Sequence, residues 1–214
     1  TAVDYFLHGA IVDEITMCDI PKCPEIGINS FKFLVGYKGP HAELMKIRST
    51  DDGWVYRGFD AISKLKCRPV WAQVHAENAD ILLYLRSLIE AMGRRDPAAW
   101  NDSRPNFVEA EAMKRCIAIA EYTNCPLYIV HNSIAEAVDI IGEAKARGKI
   151  ELTAETCPQY LTHNSEEPIQ MFKDNPALIV INPPLRDKES NERLWEGIRD
   201  GAIDVVGSDN GFNT

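Results

Sequence analysis

The sequence predicts an α/β protein with a parallel sheet, most simply the wall of a (β/α)8-type barrel. Three observations carry this. Short apolar segments alternate with segments of helical periodicity along the chain. The 214 residues hold about seven strand-like and five or six helix-like segments, against eight of each in the roughly 250 residues of a whole barrel. The glycine-rich phosphate loop of doubly wound sheets is missing from the sequence.

The first element, Ala2–His8, is a short apolar run ending in a histidine, and Asn29–Val35 is a second strand candidate. Gly36–Gly53 is polar and glycine-bearing and reads as a loop, followed by helical spacing over Tyr56–Lys66. Val70–His75 is a third strand. Asn78–Met92 places Ile81, Leu82, Leu85, Leu88 and Ile89 on one helical stripe. Gly93–Pro105 reads as a polar connection, Phe107–Tyr122 as a helix and Pro126–His131 as a fourth strand. Ser133 and Glu136 have capping-box spacing ahead of Ile134, Ala137, Val138 and Ile141, and Gly148 closes that helix. Ile150–Ala154 and Leu178–Asn182 are further strand candidates, Asn191–Arg199 a short helix and Ile203–Gly207 the last strand.

Composition narrows the function. Apolar residues make up 45% of the chain, which can build a core. The 23 Lys and Arg stand against 32 Asp and Glu, a net charge of −9, which argues against nucleic acid and anionic lipid as partners. The longest apolar runs, such as Ala177–Ile181, are too short to span a bilayer. The residues Thr1–Ala10 lack the basic start and apolar stretch of a signal peptide. The six scattered cysteines read as ordinary thiols of a reducing cytoplasm, and Cys18 and Cys23 lack a second pair for zinc. The chain starts without methionine and ends just past a strand-like run, so it is expected to be a piece of a longer protein.

In a parallel barrel, chemistry sits at the C-terminal strand ends. One predicted strand carries Lys32, two others end in His75 and His131, and the last runs into Asp209. Each alone has an ordinary structural explanation. Together, two imidazoles and a carboxylate on one rim suit zinc or a similar divalent ion. A protonated lysine binds no cation. Near metal ions its ammonium is disfavoured, and the neutral amine can take up CO₂ as a carbamate that bridges two metals.

At these residues the sequence resembles the dihydropyrimidinase and D-hydantoinase branch of the amidohydrolase superfamily. Ser30-Phe31-Lys32 followed by Gly36-Tyr37-Lys38 carries the resemblance, as do Val74-His75-Ala76-Glu77-Asn78 and Tyr128-Ile129-Val130-His131-Asn132-Ser133. Glu155-Thr156-Cys157-Pro158-Gln159-Tyr160-Leu161, Pro183-Pro184-Leu185-Arg186 and Gly207-Ser208-Asp209 complete it, in order along nearly the whole chain.

The resemblance implies roles. Lys32 matches the lysine that becomes carbamylated and bridges two divalent ions, expected to be zinc. His75 and His131 match the ligands of the second metal. Asp209 matches the ligand of the first metal that also shuttles a proton. Tyr37 matches the tyrosine that polarises the scissile carbonyl, and Asn182 a position that contacts the substrate amide through its main chain. The implied reaction is hydrolysis of a dihydropyrimidine or hydantoin ring to an N-carbamoyl amino acid, by a hydroxide held between metals ~3.5–4 Å apart. The small-molecule substrate, cytoplasmic setting and homo-oligomeric assembly, commonly a tetramer, come with the same resemblance.

Two departures stand beside it. The family's first strand supplies a His-x-His pair, whereas the five histidines here, His8, His41, His75, His131 and His163, include no such spacing. His8 falls on the third family strand and is no ligand there. Residues 1–214 are therefore expected to form one incomplete barrel domain, about strands three to eight, without the first βα units and the β-sandwich domain. Such a chain is expected to be inactive and unstable alone. Asn210-Gly211 follows the aspartate where His-Cys is common. The competing readings are a non-catalytic scaffold of the collapsin-response mediator type and an allantoinase- or dihydroorotase-like enzyme. Retention of Lys32, His75, His131 and Asp209 argues against the first, and the Tyr37 and Glu155–Leu161 motifs argue against the second.

Overall fold

A computed structural model describes residues 4–166 and 174–210. Its six strands form one parallel sheet. They are β1 (Gly9–Ala10), β2 (Ser30–Leu34), β3 (Trp71–His75), β4 (Leu127–Ile129), β5 (Leu152–Thr156) and β6 (Val205–Val206), hydrogen-bonded strictly in chain order. Doubly wound sheets reverse their order at a switch point. This sheet never does, so it is the wall of a partial barrel.

The helices among the described residues are α1 (Glu14–Asp19), α2 (Pro40–Leu44), α3 (Asp52–Ser63), α4 (Ala79–Ala91), α5 (Pro97–Asp102), α6 (Asn106–Thr123), α7 (Ala135–Arg147), α8 (Pro158–Thr162) and α9 (Lys188–Asp200). None is long and apolar enough to cross a membrane.

Strand alternation separates the two faces of the sheet. On β2, Phe31 and Phe33 are fully buried on the helix side, while Lys32 and Leu34 face the other way. Phe33 meets Phe59 of α3 edge-on, with ring centroids 5.4 Å apart. The helix comes so close there that a Cβ on Gly58 would sit 2.3 Å from the Phe33 ring. Burying one such side chain contributes about 1.5–3 kcal/mol. Ala72 and Val74 of β3, Leu127 and Ile129 of β4 and Ala154 of β5 continue the core. The opposite face is polar: Lys32 is in register with Gln73, Gln73 with Tyr128 and Tyr128 with Thr153.

Several elements depart from the sequence reading. Tyr5, Phe6 and Leu7 are exposed and outside the sheet, which β1 joins only at Gly9 and Ala10. Ala2 and Val3 of that predicted strand lie outside the described residues. The predicted loop Gly36–Gly53 contains α2, and α3 starts earlier than expected because Asp51 caps it, accepting from the Trp54 N–H at 2.8 Å. The polar connection 93–105 contains α5, capped by Asp96.

Ser133 does not cap α7, whose N-cap is Ile134 without a side-chain bond. The Ser133 hydroxyl and N–H donate to Glu109 of α6 instead. The predicted strand Leu178–Asn182 is no strand: a 3-10 turn runs over Pro176–Ile179. Side chains hold the residues after that turn, since Trp100 Nε1 donates to the Ile181 carbonyl and Asn101 Nδ2 to that of Leu185, both at 3.0 Å.

Candidate active site

The C-terminal strand ends gather the residues singled out in the sequence. His75 closes β3 and is 3% exposed. Its Nε2 lies 2.7 Å from Oε2 of Glu77, which is 2% exposed. A carboxylate only accepts, so it places a proton on Nε2 and makes Nδ1 the acceptor nitrogen of the neutral ring. That Nδ1 lies 3.0 Å from Nε2 of His131, with ring centroids 4.7 Å apart. Opposite it, a Cβ on Gly36 would come within 2.9 Å of the His75 ring, so only glycine lets the β2–α2 loop approach.

His131 and Asp209 both adopt left-handed backbone, with φ of 42° and 48°. For residues other than glycine this costs about 1–2 kcal/mol each. Such strain persists where surrounding structure imposes it, often at functional sites. His131 is fully enclosed, and its Nδ1 has no partner among the described residues. Burial, then the nearby His75 and Lys32, holds its pKa well below the usual histidine value. The ring is therefore neutral and able to offer a lone pair.

Lys32 and Asp209 line an adjoining cavity of about 430 Å³ with His8, Gln73, Val130 and Glu155. Burial pulls the Lys32 ammonium down to about 8, against the opposing pull of Asp209 and Glu155. Tyr128 Oη donates to Glu155 Oε2 at 2.7 Å. Asp209 also borders a second cavity of about 360 Å³, shared with His163, Ser208 and Ile181.

Tyr37 packs edge-on against His75, with centroids 5.2 Å apart. Burial raises its pKa above the ordinary tyrosine value despite a side-chain hydrogen bond from Asn182. The phenol thus stays protonated at neutral pH and keeps a proton to donate. The Asn182 Oδ1 is buried without a partner among the described residues.

The structure thus brings His75 and His131 into contact, sets Tyr37 and Asn182 beside them, and puts Lys32 and Asp209 in the neighbouring cavity. Among the described residues, no three His, Cys, Asp or Glu side chains are gathered as a metal site. The expected set relies on a lysine as its fourth member. The donor chemistry of that set fits divalent ions: two imidazoles, a carboxylate, and an amine whose pKa burial depresses. The six cysteines are all free thiols.

Sequence reasoning assigned no role to Glu77, Arg104 or Glu155. Two of these carried a usable signal. Glu77 stands two residues past His75, and strand alternation turns Glu155 to the face opposite Ala154. Arg104 carried none, since it lies in a connection.

No family model matches the sequence. Individual relatives do. The chain is 36% identical over 211 residues to a D-hydantoinase of Rhizobium radiobacter, covering 98% of this chain and 44% of the relative. It is 34% identical over 215 residues to a D-hydantoinase of Geobacillus stearothermophilus, covering 97% and 42%. The crystal structure of dihydropyrimidinase from Brevibacillus agri superposes with a TM-score of 0.85 at 33% identity, over 99% of this chain and 44% of that one. An L-hydantoinase (dihydropyrimidinase) from Arthrobacter aurescens gives 0.83 at 30% identity, over 97% and 43%. The chain therefore spans less than half the length of the relatives it matches. Along that span the chain is similar in sequence and structure to D-hydantoinases and dihydropyrimidinases, and its fold is a partial barrel.

Proposed function

We propose that this chain supplies the catalytic face of a metal-dependent cyclic amidohydrolase, which opens dihydropyrimidine or hydantoin rings to N-carbamoyl amino acids. The observation that supports it most is the convergence of Lys32, His75, His131, Asp209 and Tyr37 at the strand ends, in a chain similar to D-hydantoinases throughout its length. Residues 1–214 act in this reading as one incomplete barrel domain.

His75, His131 and Asp209 would hold two divalent ions, zinc in this proposal, with Lys32 bridging them as a carbamate. Such ions, when bound, lower the pKa of water toward ~7 and polarise a carbonyl. The protonated Tyr37 hydroxyl donates to the oxygen that gains charge at the ring carbonyl. The Asn182 side chain orients that hydroxyl, and its main chain meets the substrate amide. Asp209 accepts the proton of the attacking water and delivers it to the leaving ring nitrogen. The ring C–N bond breaks, leaving a carboxylate and an N-carbamoyl group.

A cytoplasmic setting and a homotetramer belong to the same proposal, the first in keeping with the free thiols. The test is an assay of the full-length protein with dihydrouracil and 5-substituted hydantoins, alongside metal analysis. Ring opening that is lost with a chelator and in Lys32→Ala, with bound metal falling in parallel, supports the reading. Undiminished metal content in Lys32→Ala removes the bridging role, and no hydrolysis of either ring class removes the function.

A further inference from the structure

Beyond the residues assigned to the reaction lies a buried pair with an opening between its members. Glu77 Oε1 and Arg104 Nε are 3.8 Å apart, on side chains 2% and 1% exposed. Neither atom has a hydrogen-bond partner among the described residues. The gap is too narrow for a bridging water, so each complements the other directly, charge against charge. The second carboxylate oxygen of Glu77 is the one on His75 Nε2, at 2.7 Å.

We propose that Glu77 is the positioning residue of His75, holding its ring with Nδ1 turned toward His131, and that Arg104 is the counter-charge that aims Glu77. The inference rests on reading His75 and His131 as a metal pair. A ligating imidazole takes its tautomer and ring angle from whatever its other nitrogen binds. Here that partner is fixed in turn by the α5–α6 connection.

The same connection grips the other rim of the site. The Arg104 guanidinium stacks on Trp100, 3.5 Å from the ring centroid. Trp100 Nε1 holds the Ile181 carbonyl next to Asn182. The Arg104 carbonyl accepts from Arg186, whose guanidinium also reaches Glu109 and Ser133 Oγ, both at 3.0 Å. One short segment therefore sets the His75 ring and the Asn182 backbone together. A carboxylate that merely neutralised Arg104 would have no need to face the imidazole.

The experiment compares Glu77→Ala, Glu77→Gln and Arg104→Met in the full-length protein. Co²⁺ affinity is read by chelator competition and geometry by the visible Co²⁺ spectrum. Glu77→Ala is expected to weaken Co²⁺ binding by about 10–100-fold and change the spectrum. Glu77→Gln, which retains an acceptor for Nε2–H, is expected to recover most of the affinity. Arg104→Met is expected to fall between. A Glu77→Ala protein that folds and binds Co²⁺ with wild-type affinity and spectrum overturns the proposal. If the wild-type protein takes up no Co²⁺, the metal reading fails, and crystals of the metal-free variants decide this inference. A His75 ring turned away in Glu77→Ala but not in Glu77→Gln upholds the positioning role, and an unmoved ring in both ends it.

Discussion

The two faces of the sheet carry opposite duties on the same strands. On β2, Phe31 and Phe33 are sealed in the core, Phe33 against α3, while Lys32, between them, looks into a cavity shared with Asp209 and Glu155. On β3, Ala72 and Val74 are core residues, while Gln73 lines the cavity and His75 ends the strand against His131. A period of two thus sets hydrophobic packing and chemistry back to back, one residue apart. The helix face contributes free energy of folding. The inner face holds the Lys32 amine and the buried His131 imidazole, whose charged forms burial disfavours.

Substitutions on the two faces should therefore separate stability from function. The largest effect is expected from Phe33→Ala, which opens a cavity between β2 and α3. It should cost about 3–5 kcal/mol in denaturant unfolding, with the surviving folded fraction binding metal as before. A loss below about 1 kcal/mol would mean that α3 collapses onto the gap.

Tyr37→Phe lies on the functional side. It should lower kcat by about 10²–10³-fold, since it removes one donor to developing charge. The unfolding midpoint and metal content should hardly move, because the ring keeps its edge contact with His75. An unchanged rate would leave Tyr37 as packing alone. Asn182→Ala sharpens the point. It removes one hydrogen bond to that hydroxyl, and kcat should fall by about fivefold, the worth of roughly 1 kcal/mol.

The smallest effect belongs to neither face. Asp80 pairs with Lys38 at 2.8 Å on the surface, and its side chain is 73% exposed. Asp80→Ala should change stability by no more than about 0.5 kcal/mol, as measured by thermal unfolding.

Local patterns explain how much of the fold was legible in the sequence. α4 and α6 follow their apolar spacing within a residue or two of the expected bounds, and the left-handed Gly148 stops α7 where its position suggested. The strand-end residues were legible for a similar reason. A parallel strand delivers the residues at and just past its end to the same rim, so His75, His131 and Asp209 could be nominated without coordinates, and Lys32 by its place on the polar face of β2.

The features that escaped the sequence are non-local. Ser133 has the spacing of a cap, yet a buried carboxylate 24 positions earlier takes its hydroxyl in place of the helix terminus. Leu178–Asn182 has strand composition, but Trp100 and Asn101, some 80 positions away, bind carbonyls in and just beyond it. A strand needs a ladder partner, and no reading of one segment reveals whether side chains claim that backbone first.

By itself, then, the sequence determined the alternation of elements, the polar and apolar faces of each strand and the chemical character of the rim. Each depends on residues near one another in the chain, through backbone periodicity and strand direction. Only the tertiary structure decided how the rim is held. The facing nitrogens of His75 and His131, the grip of Glu77 on His75, and the ties from Arg104 and Arg186 to both rims all depend on packing. In the buried interior a polar atom must find its partner wherever the fold brings one, and that choice is made by packing rather than by spacing along the chain.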